Sequence, residues 1–279
     1  MVPADKMIIY TDLDGTFLDH ETYSYAESLP ALQAAAAKAI PIVFCSSKTR
    51  AEIEVIRQST SVRDPFIVEN GGAVYVPAGY FPFHIEGSIR RGDFDVIELG
   101  TPYSQLVATL DSLGSDFLCN IVGFNDMTVE EVACNCGLTL AEAQRAKDRE
   151  YDEAFEIIDA DPHVVKVVLQ RIEEAGLHYT IGGRYYHLLG DNDKGRAIKI
   201  LNGLFKKAHG TIFTIGLGDS LNDLPMLEAV DDPVLVKKVD GHHDQAIIQR
   251  LPRVRLVNRV GPQGWRTAVM MILAEAGYI

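Results

Sequence analysis

Short apolar, β-branched runs that each stop at a carboxylate, a hydroxyl or an amide constrain this chain more than any other feature of its sequence. Met7-Ile-Ile-Tyr-Thr11 stops at Asp12, Ile42-Val-Phe-Cys45 at Ser46, Phe66-Ile-Val-Glu69 at Asn70, and Thr211-Ile-Phe-Thr-Ile215 shortly before Asp219. Runs of this length without polar alternation predict strands buried on both faces of a sheet. Between them lie segments of helical spacing at Glu27 to Ala39, Thr49 to Gln58, Lys194 to Phe205 and Asn222 to Val230, with Pro233 to Val236 as a further strand. Strands alternating with helices predict parallel pairing through crossovers, hence an α/β, doubly wound (Rossmann-like) core. Asn70-Gly-Gly72 followed by Ala73-Val-Tyr-Val76 has the spacing of a hairpin.

The middle of the chain breaks the alternation. Strand patterns at Phe94 to Leu99, Phe155 to Ile158 and Leu177 to Ile181 mix with helical patterns at Tyr103 to Leu113, Leu140 to Arg149 and Val164 to Glu174. The simplest topology is an α+β cap domain at residues 87–187, inserted between core segments 1–86 and 188–279. Hinges are expected near Gly87 and near Leu188 to Gly190.

With 279 residues and 47% hydrophobic content the chain can bury a substantial core. No apolar run approaches the roughly 18 to 20 residues of a membrane-spanning helix, and the N-terminus lacks the succession of a secretory signal, so no membrane association and a cytoplasmic location are expected. Four cysteines are too sparse for a disulfide scaffold, and Cys134-Asn-Cys136 lacks zinc-site spacing. The formal charge of −13 argues against nucleic acid as a partner. An acidic protein that handles an anionic small molecule needs local positive charge from a metal ion, Lys, Arg or helix N-termini. Nothing in the sequence indicates an oligomeric state.

In an open parallel sheet, ligands sit outside the carboxyl ends of the strands, so the residues following each strand belong to one site. Asp12-Leu-Asp14-Gly-Thr16 supplies two carboxylates two residues apart, and Gly15 lets the backbone turn and offer N–H groups to an anion. One acid can attack phosphorus while the other protonates the leaving alkoxide, and Asp12 suits the first role and Asp14 the second. Taken alone, Asp-Leu-Asp-Gly could equally be a surface turn. Gly216-Leu-Gly-Asp219-Ser-Leu-Asn222-Asp223 also follows an apolar strand and opens a helix, where Asp219 and Asn222 could merely cap. Joined to the first motif, Asp219 would complete a Mg²⁺ site with the Asp12 carboxylate and the Asp14 main-chain carbonyl, with Asp223 supporting from behind. Ser46 could hydrogen-bond a phosphoryl oxygen, although Ser46 or Ser47 could instead cap the helix near Thr49. Lys194 opens a helix, where a cation opposes the dipole; binding phosphate would explain its place.

Asp12-Leu-Asp-Gly-Thr16, Ser46, Lys194 and Gly218-Asp-Ser-Leu-Asn-Asp223, in that order, resemble the four motifs of the haloacid dehalogenase-like hydrolase superfamily. The resemblance spans nearly the whole chain. It implies Asp12 as nucleophile, Asp14 as general acid/base, Gly15, Ser46, Lys194 and Asn222 around the phosphoryl group, and Mg²⁺ on Asp12, Asp14 and Asp219. A finer likeness rests on Ser46-Ser-Lys-Thr-Arg50-Ala-Glu52, Glu69-Asn-Gly-Gly72, Gly182-Gly-Arg-Tyr-Tyr-His187 and Gly261-Pro-Gln-Gly-Trp265, which look like mannosyl-3-phosphoglycerate phosphatases. Arg149-Glu-Tyr-Asp-Glu-Ala-Phe155 resembles a cap motif of that family, with Ala154 where Pro is expected. The likeness implies hydrolysis of 2-mannosyl-3-phosphoglycerate, a small phosphorylated glycoside and a compatible-solute precursor, to mannosylglycerate and phosphate. Lys48, Arg149 and Arg184 are candidates for reading the substrate carboxylate, and Glu69 and Asn70 for other substrate contacts. Rival readings are a glucosyl-3-phosphoglycerate or general sugar-phosphate phosphatase, a phosphomutase, and a phospho-accepting signalling module, against which Asp14 speaks.

Overall fold

The computed structural model describes residues 6–114, 120–182 and 185–279. The first segment carries strands β1 (Lys6–Thr11), β2 (Ile42–Cys45), β3 (Phe66–Val68), β4 (Ala73–Pro77), β5 (Ile89–Arg91) and β6 (Phe94–Glu98). Next come β7 (Asn120–Gly123), β8 (Asp152–Ile158), β9 (His178–Gly182) and β10 (Tyr185–Leu189), and then β11 (Ile212–Gly218), β12 (Asp232–Lys237) and β13 (Arg255–Val260). Among the described residues, nine strands form one sheet in the order β13-β12-β11-β1-β2-β3-β4-β6-β5, and four form a second in the order β7-β8-β10-β9. The large sheet is parallel from β13 to β3 and antiparallel from β4 to β5; the small one is antiparallel throughout.

Burial explains the unbroken apolar runs. On β1, Met7 and Ile9 join a core on one face of the large sheet, with Trp265, Ile272 and Leu273 of the helix Gly261–Glu275. Ile8 and Tyr10 join a second core on the other face, with Ile198, Leu201 and Phe205 of the helix Lys194–His209. A strand covered on both sides gains nothing from polar alternation. Sequence order runs outward from β1 in both directions, towards β2 and β3 on one side, while β11, at the other end of the chain, lies on the other. That reversal marks a crevice beyond the carboxyl ends of β1, β2 and β11.

One expected assignment fails here. The sequence places the run Phe94 to Leu99 in an inserted cap that begins at residue 87, but β5 and β6 extend the large sheet. The reason is packing: Phe94 stands edge-on to Phe66 and Tyr75, at 5.4 and 5.7 Å between ring centroids, while β6 pairs with β4 along its length. Gly87 therefore lies before an edge strand of the core, away from any passage between the sheets. The passages run through Leu99–Thr101 and through Gly190, whose approach leaves no room for a Cβ: one would meet Thr101 Oγ1 at 2.1 Å. The helices Val129–Cys136, Gln245–Arg250 and Gly261–Glu275 and the strands β5, β7, β10 and β13 have no counterpart in the sequence reading.

The two sheets are joined by a set of buried hydrogen bonds. Glu69, with φ of 48°, follows β3 and accepts from the backbone N–H groups of Glu150 (3.0 Å) and Tyr151 (2.7 Å). Arg149 donates to the Ser47 carbonyl (3.0 Å), Asn70 donates to Asp152 (2.9 Å), and Thr49 Oγ1 donates to the Arg145 carbonyl (2.7 Å). Glu69→Ala orphans the two N–H groups at a cost of about 1–3 kcal/mol each. Urea unfolding should show a midpoint reduced accordingly, and an unchanged midpoint would contradict this role.

Candidate active site

β1 delivers Asp12 and β11 delivers Asp219 to the same end of the sheet, because the two strands pair in parallel with Thr11 opposite Leu217. Asp12, Asp219 and Asp223 are buried and bring one oxygen each to within 4.8 Å of one another. Lys194, 1% exposed, sits among them, with Nζ 2.7 Å from Asp12 Oδ1 and 2.6 Å from Asp223 Oδ1. Its helix is capped by Asp193, whose Oδ1 accepts from the Arg196 N–H at 2.7 Å. The ammonium unfavourably placed against the helix dipole is thus held by two carboxylates. Burial works against the charge on Lys194, but Asp12 and Asp223 outweigh it and raise its pKa. Burial and the neighbouring Asp223 charge push Asp12 well up, and they push Asp219 up to about 7.

The carboxylates differ in what they have left to offer. Asp223 is saturated: Oδ1 takes Lys194, and Oδ2 takes the N–H groups of Asp219 and Ser220 at 3.0 and 3.2 Å. Gly218 makes this possible, since a Cβ there would lie 2.6 Å from Asp223. Asp219 Oδ1 accepts from Ser220 Oγ at 3.0 Å. Asp12 Oδ2 and Asp219 Oδ2 have no hydrogen-bond donor among the described residues. A Cβ on Gly15, at φ 77°, would stand 3.0 Å from Asp219 Oδ2. One ammonium among three buried carboxylates leaves excess negative charge facing a cradle of hard oxygens, which fits Mg²⁺.

The turn after β1 offers its anion-binding groups one step earlier than expected. The Gly15 N–H donates to the Leu18 carbonyl at 3.0 Å and is not free for phosphate. The N–H groups of Leu13 and Asp14 have no partner among the described residues. The tight loop closing on Leu18 consumes the one and frees the others. Ser46 is also free: Thr49 caps the helix Arg50–Thr60 through a capping box with Glu52, so neither Ser46 nor Ser47 does so. The buried Ser46 Oγ accepts from the Lys48 N–H at 3.2 Å, and its proton has no acceptor among the described residues.

Several expected substrate contacts are occupied by protein. Lys48 is not free to read a carboxylate: its Nζ lies 2.9 Å from Asp14 Oδ2, 3.4 Å from Glu52 and 4.9 Å from the centre of the Tyr23 ring. Burial opposes its charge, and Asp14 and Glu52 overcome that and raise its pKa. Four of the five N–H groups of Arg149 go to the Asp152, Ala146 and Ser47 carbonyls and the Asp152 carboxylate. Glu69 and the Asn70 amide bind the 150–152 segment instead of facing the crevice. Arg184 lies outside the described residues. Asn222, half-buried, accepts from Ser220 Oγ at 2.8 Å and faces Gly182 of the small sheet. Asp152 and His187, paired at 2.8 Å between β8 and β10, stand within the motifs at residues 149–155 and 182–187, but the sequence assigns neither a role.

Comparison with known proteins agrees with this geometry. A model of haloacid dehalogenase-like hydrolases matches residues 9–83. A glucosyl-3-phosphoglycerate/mannosyl-3-phosphoglycerate phosphatase of Methanococcoides burtonii is 44% identical over 270 residues, 97% of this chain and 98% of the relative. The chain belongs to this phosphatase family, within the haloacid dehalogenase-like hydrolases. Other members are a phosphatase of the same name from Persephonella marina, 38% identical over 96% of this chain and 98% of the relative, and a mannosyl-3-phosphoglycerate phosphatase from Pyrococcus furiosus, 34% identical over 86% and 93%. The fold matches that of a phosphatase of the haloalkanoate (HAD) enzyme superfamily from Bacteroides thetaiotaomicron with a TM-score of 0.68 at 19% identity, covering 100% and 99% of the two chains. A subclass IIB sugar phosphatase aligns with a TM-score of 0.65 at 16% identity, covering 98% and 100%. No helix among the described residues is long and apolar enough to cross a membrane.

With Asp219 at about 7, a cation entering below neutral pH must displace a proton. Apparent Mg²⁺ affinity should therefore rise with pH through the acidic and neutral range. Calorimetric titration between acidic and mildly alkaline pH checks this, and a flat profile would contradict the arrangement.

Proposed function

We propose that this protein hydrolyses mannosyl-3-phosphoglycerate to mannosylglycerate and phosphate and takes the glucosyl analogue as a second substrate. One observation carries the chemistry: Asp12 is locked through Oδ1 on Lys194 while Oδ2 stays open, two residues from a second carboxylate whose Oδ2 rests on Lys48. The substrate rests on the three relatives above, whose names all include mannosyl-3-phosphoglycerate, while those 44% and 38% identical name the glucosyl compound as well. This widens the mannosyl-only expectation.

In this reading Asp12 Oδ2 attacks phosphorus as the ester P–O bond breaks, and Asp14 gives its proton to the departing alkoxide. Asp14 then takes a proton from water as that water attacks the aspartyl-phosphate, freeing Asp12 and inorganic phosphate. Lys194, the Ser46 hydroxyl and the N–H groups of Leu13 and Asp14 hold the phosphoryl oxygens, which is most of what phosphoryl transfer requires. Lys48 holds Asp14 in place, and Asp223 fixes Lys194. Asp12, Asp219 and the Asp14 carbonyl would hold Mg²⁺, which supplies the positive charge that lets a carboxylate and a phosphate anion meet.

The test is phosphate release from mannosyl- and glucosyl-3-phosphoglycerate beside mannose-6-phosphate and p-nitrophenyl phosphate. The two glycosylglycerates should lie within about tenfold of each other and about a hundredfold above the rest in kcat/KM, about 2.7 kcal/mol of differential transition-state binding. Asp12→Asn should remove activity on all four. Equal slow turnover of all four would overturn the substrate, and an active Asp12→Asn the mechanism.

A further inference from the structure

The small sheet brings to the mouth of the crevice a side chain that the reaction above does not use. His187, on β10, is buried, with Nδ1 2.8 Å from Asp152 Oδ1 and 3.1 Å from Oδ2. Asp152, fully buried on β8, also takes Arg149 Nη2 at 2.7 Å and Asn70 Nδ2 at 2.9 Å. Burial alone would favour its neutral form, but the Arg149 guanidinium and the hydrogen bonds from His187 and Asn70 prevail and hold it below the usual carboxylate range. An ionised carboxylate only accepts, so the ring donates from Nδ1, and that tautomer presents a lone pair on Nε2. Among the described residues nothing donates to that nitrogen.

Its direction follows from Gly182. A Cβ there would lie 3.3 Å from His187 Nε2 and 3.5 Å from Asn222 Nδ2, so both nitrogens converge on one point where the small sheet faces the turn after β11. Ser220 Oγ stands 2.8 Å from Asn222 Oδ1 and 3.0 Å from Asp219 Oδ1, so its single proton goes to one of the two. That nitrogen therefore lies where the small sheet meets the turn Leu221–Asp223 that follows Asp219. It needs a donor, and within the substrate proposed above the choice is narrow. The phosphate and the carboxylate are anionic acceptors, and the glycerate C2 oxygen is spent in the glycosidic bond. Only the hexose hydroxyls have protons to give.

We infer that His187 is a specificity-determining residue whose Nε2, fixed by Asp152, accepts a hydrogen bond from a hydroxyl of the hexose. The inference rests on the glycosyl-3-phosphoglycerate reading and adds to it the group that recognises the sugar. A buried acceptor matched to a hydroxyl discriminates strongly against a substrate lacking it, because the site's polar group is then left unpaired.

The experiment compares His187→Ala, His187→Asn and His187→Gln with the wild type, read as the ratio of kcat/KM for mannosyl-3-phosphoglycerate to that for 3-phosphoglycerate, with Mg²⁺ present. Asn can keep the bond to Asp152 but ends short of Nε2, whereas the Gln side-chain oxygen reaches the place of Nε2. The ratio should fall at least about tenfold in the Ala and Asn variants and stay within about threefold of the wild type in the Gln variant. A ratio unchanged in all three, whether both activities fall together or neither moves, overturns the inference, as does rescue by Asn and not by Gln. A wild type without preference for the glycosylated ester overturns the substrate reading and this inference with it. A selective wild type with unresponsive variants overturns this inference alone.

Discussion

Three buried carboxylates arranged around one buried ammonium set the terms for the rest of this structure. Lys194 cannot shed its charge while Asp12 and Asp223 lie 2.7 and 2.6 Å away, and those acids cannot lose it without being left as unpaired buried charges. The contact spans 182 residues of chain, so it exists only when β1 and β11 pair and the helix after β10 packs across them. Gly15 and Gly218 are small for the same reason, since a Cβ at either would press on Asp219 or Asp223. The lone ammonium leaves negative charge over, and that surplus is what a divalent cation and the partial positive charge of the Leu13 and Asp14 N–H groups would offset.

A second constraint is the fastening of the small sheet. Glu69, Asn70, Thr49 and Arg149 all take part in holding the 145–152 segment to the loops after β2 and β3. The loop that carries Ser46 and Lys48 is thereby tied to the small sheet that carries Asp152 on β8 and His187 on β10. Side chains that in isolation look like substrate readers take part in the fastening, while Ser46 Oγ, Asp12 Oδ2 and Asp219 Oδ2 are among the polar groups that keep a proton or lone pair unspent. Enclosing these between two sheets strengthens each electrostatic contact by excluding water.

The strands that end in chemistry were readable because a strand buried on both faces has no polar residue until it leaves the sheet, so Asp12, Ser46 and Asp219 stand out at the boundary. Lys194 was readable through its unfavourable place at a helix start. What was not readable was occupancy. Lys48 and Arg149 look like free cations in one dimension, and only the fold brings Asp14 and Asp152 to them. The edge strands β5 and β6 were misplaced because pairing with β4 depends on Phe66, Tyr75 and Phe94 meeting in space, and no local periodicity records that. His187 stands in a motif that the sequence displays, but its role depends on the Asp152 carboxylate at Nδ1, which only the fold supplies.

The central claim is that Asp12 becomes covalently phosphorylated, and it can be tested directly. Turnover of mannosyl-3-phosphoglycerate is quenched in acid, the protein is reduced with borohydride, and tryptic peptides are sequenced by mass spectrometry. An acyl phosphate on Asp12 would be reduced to homoserine, and the expected result is that conversion at Asp12 alone, absent without substrate. Conversion at Asp14 or at another residue, or none during steady turnover, would contradict the assignment of Asp12 as nucleophile.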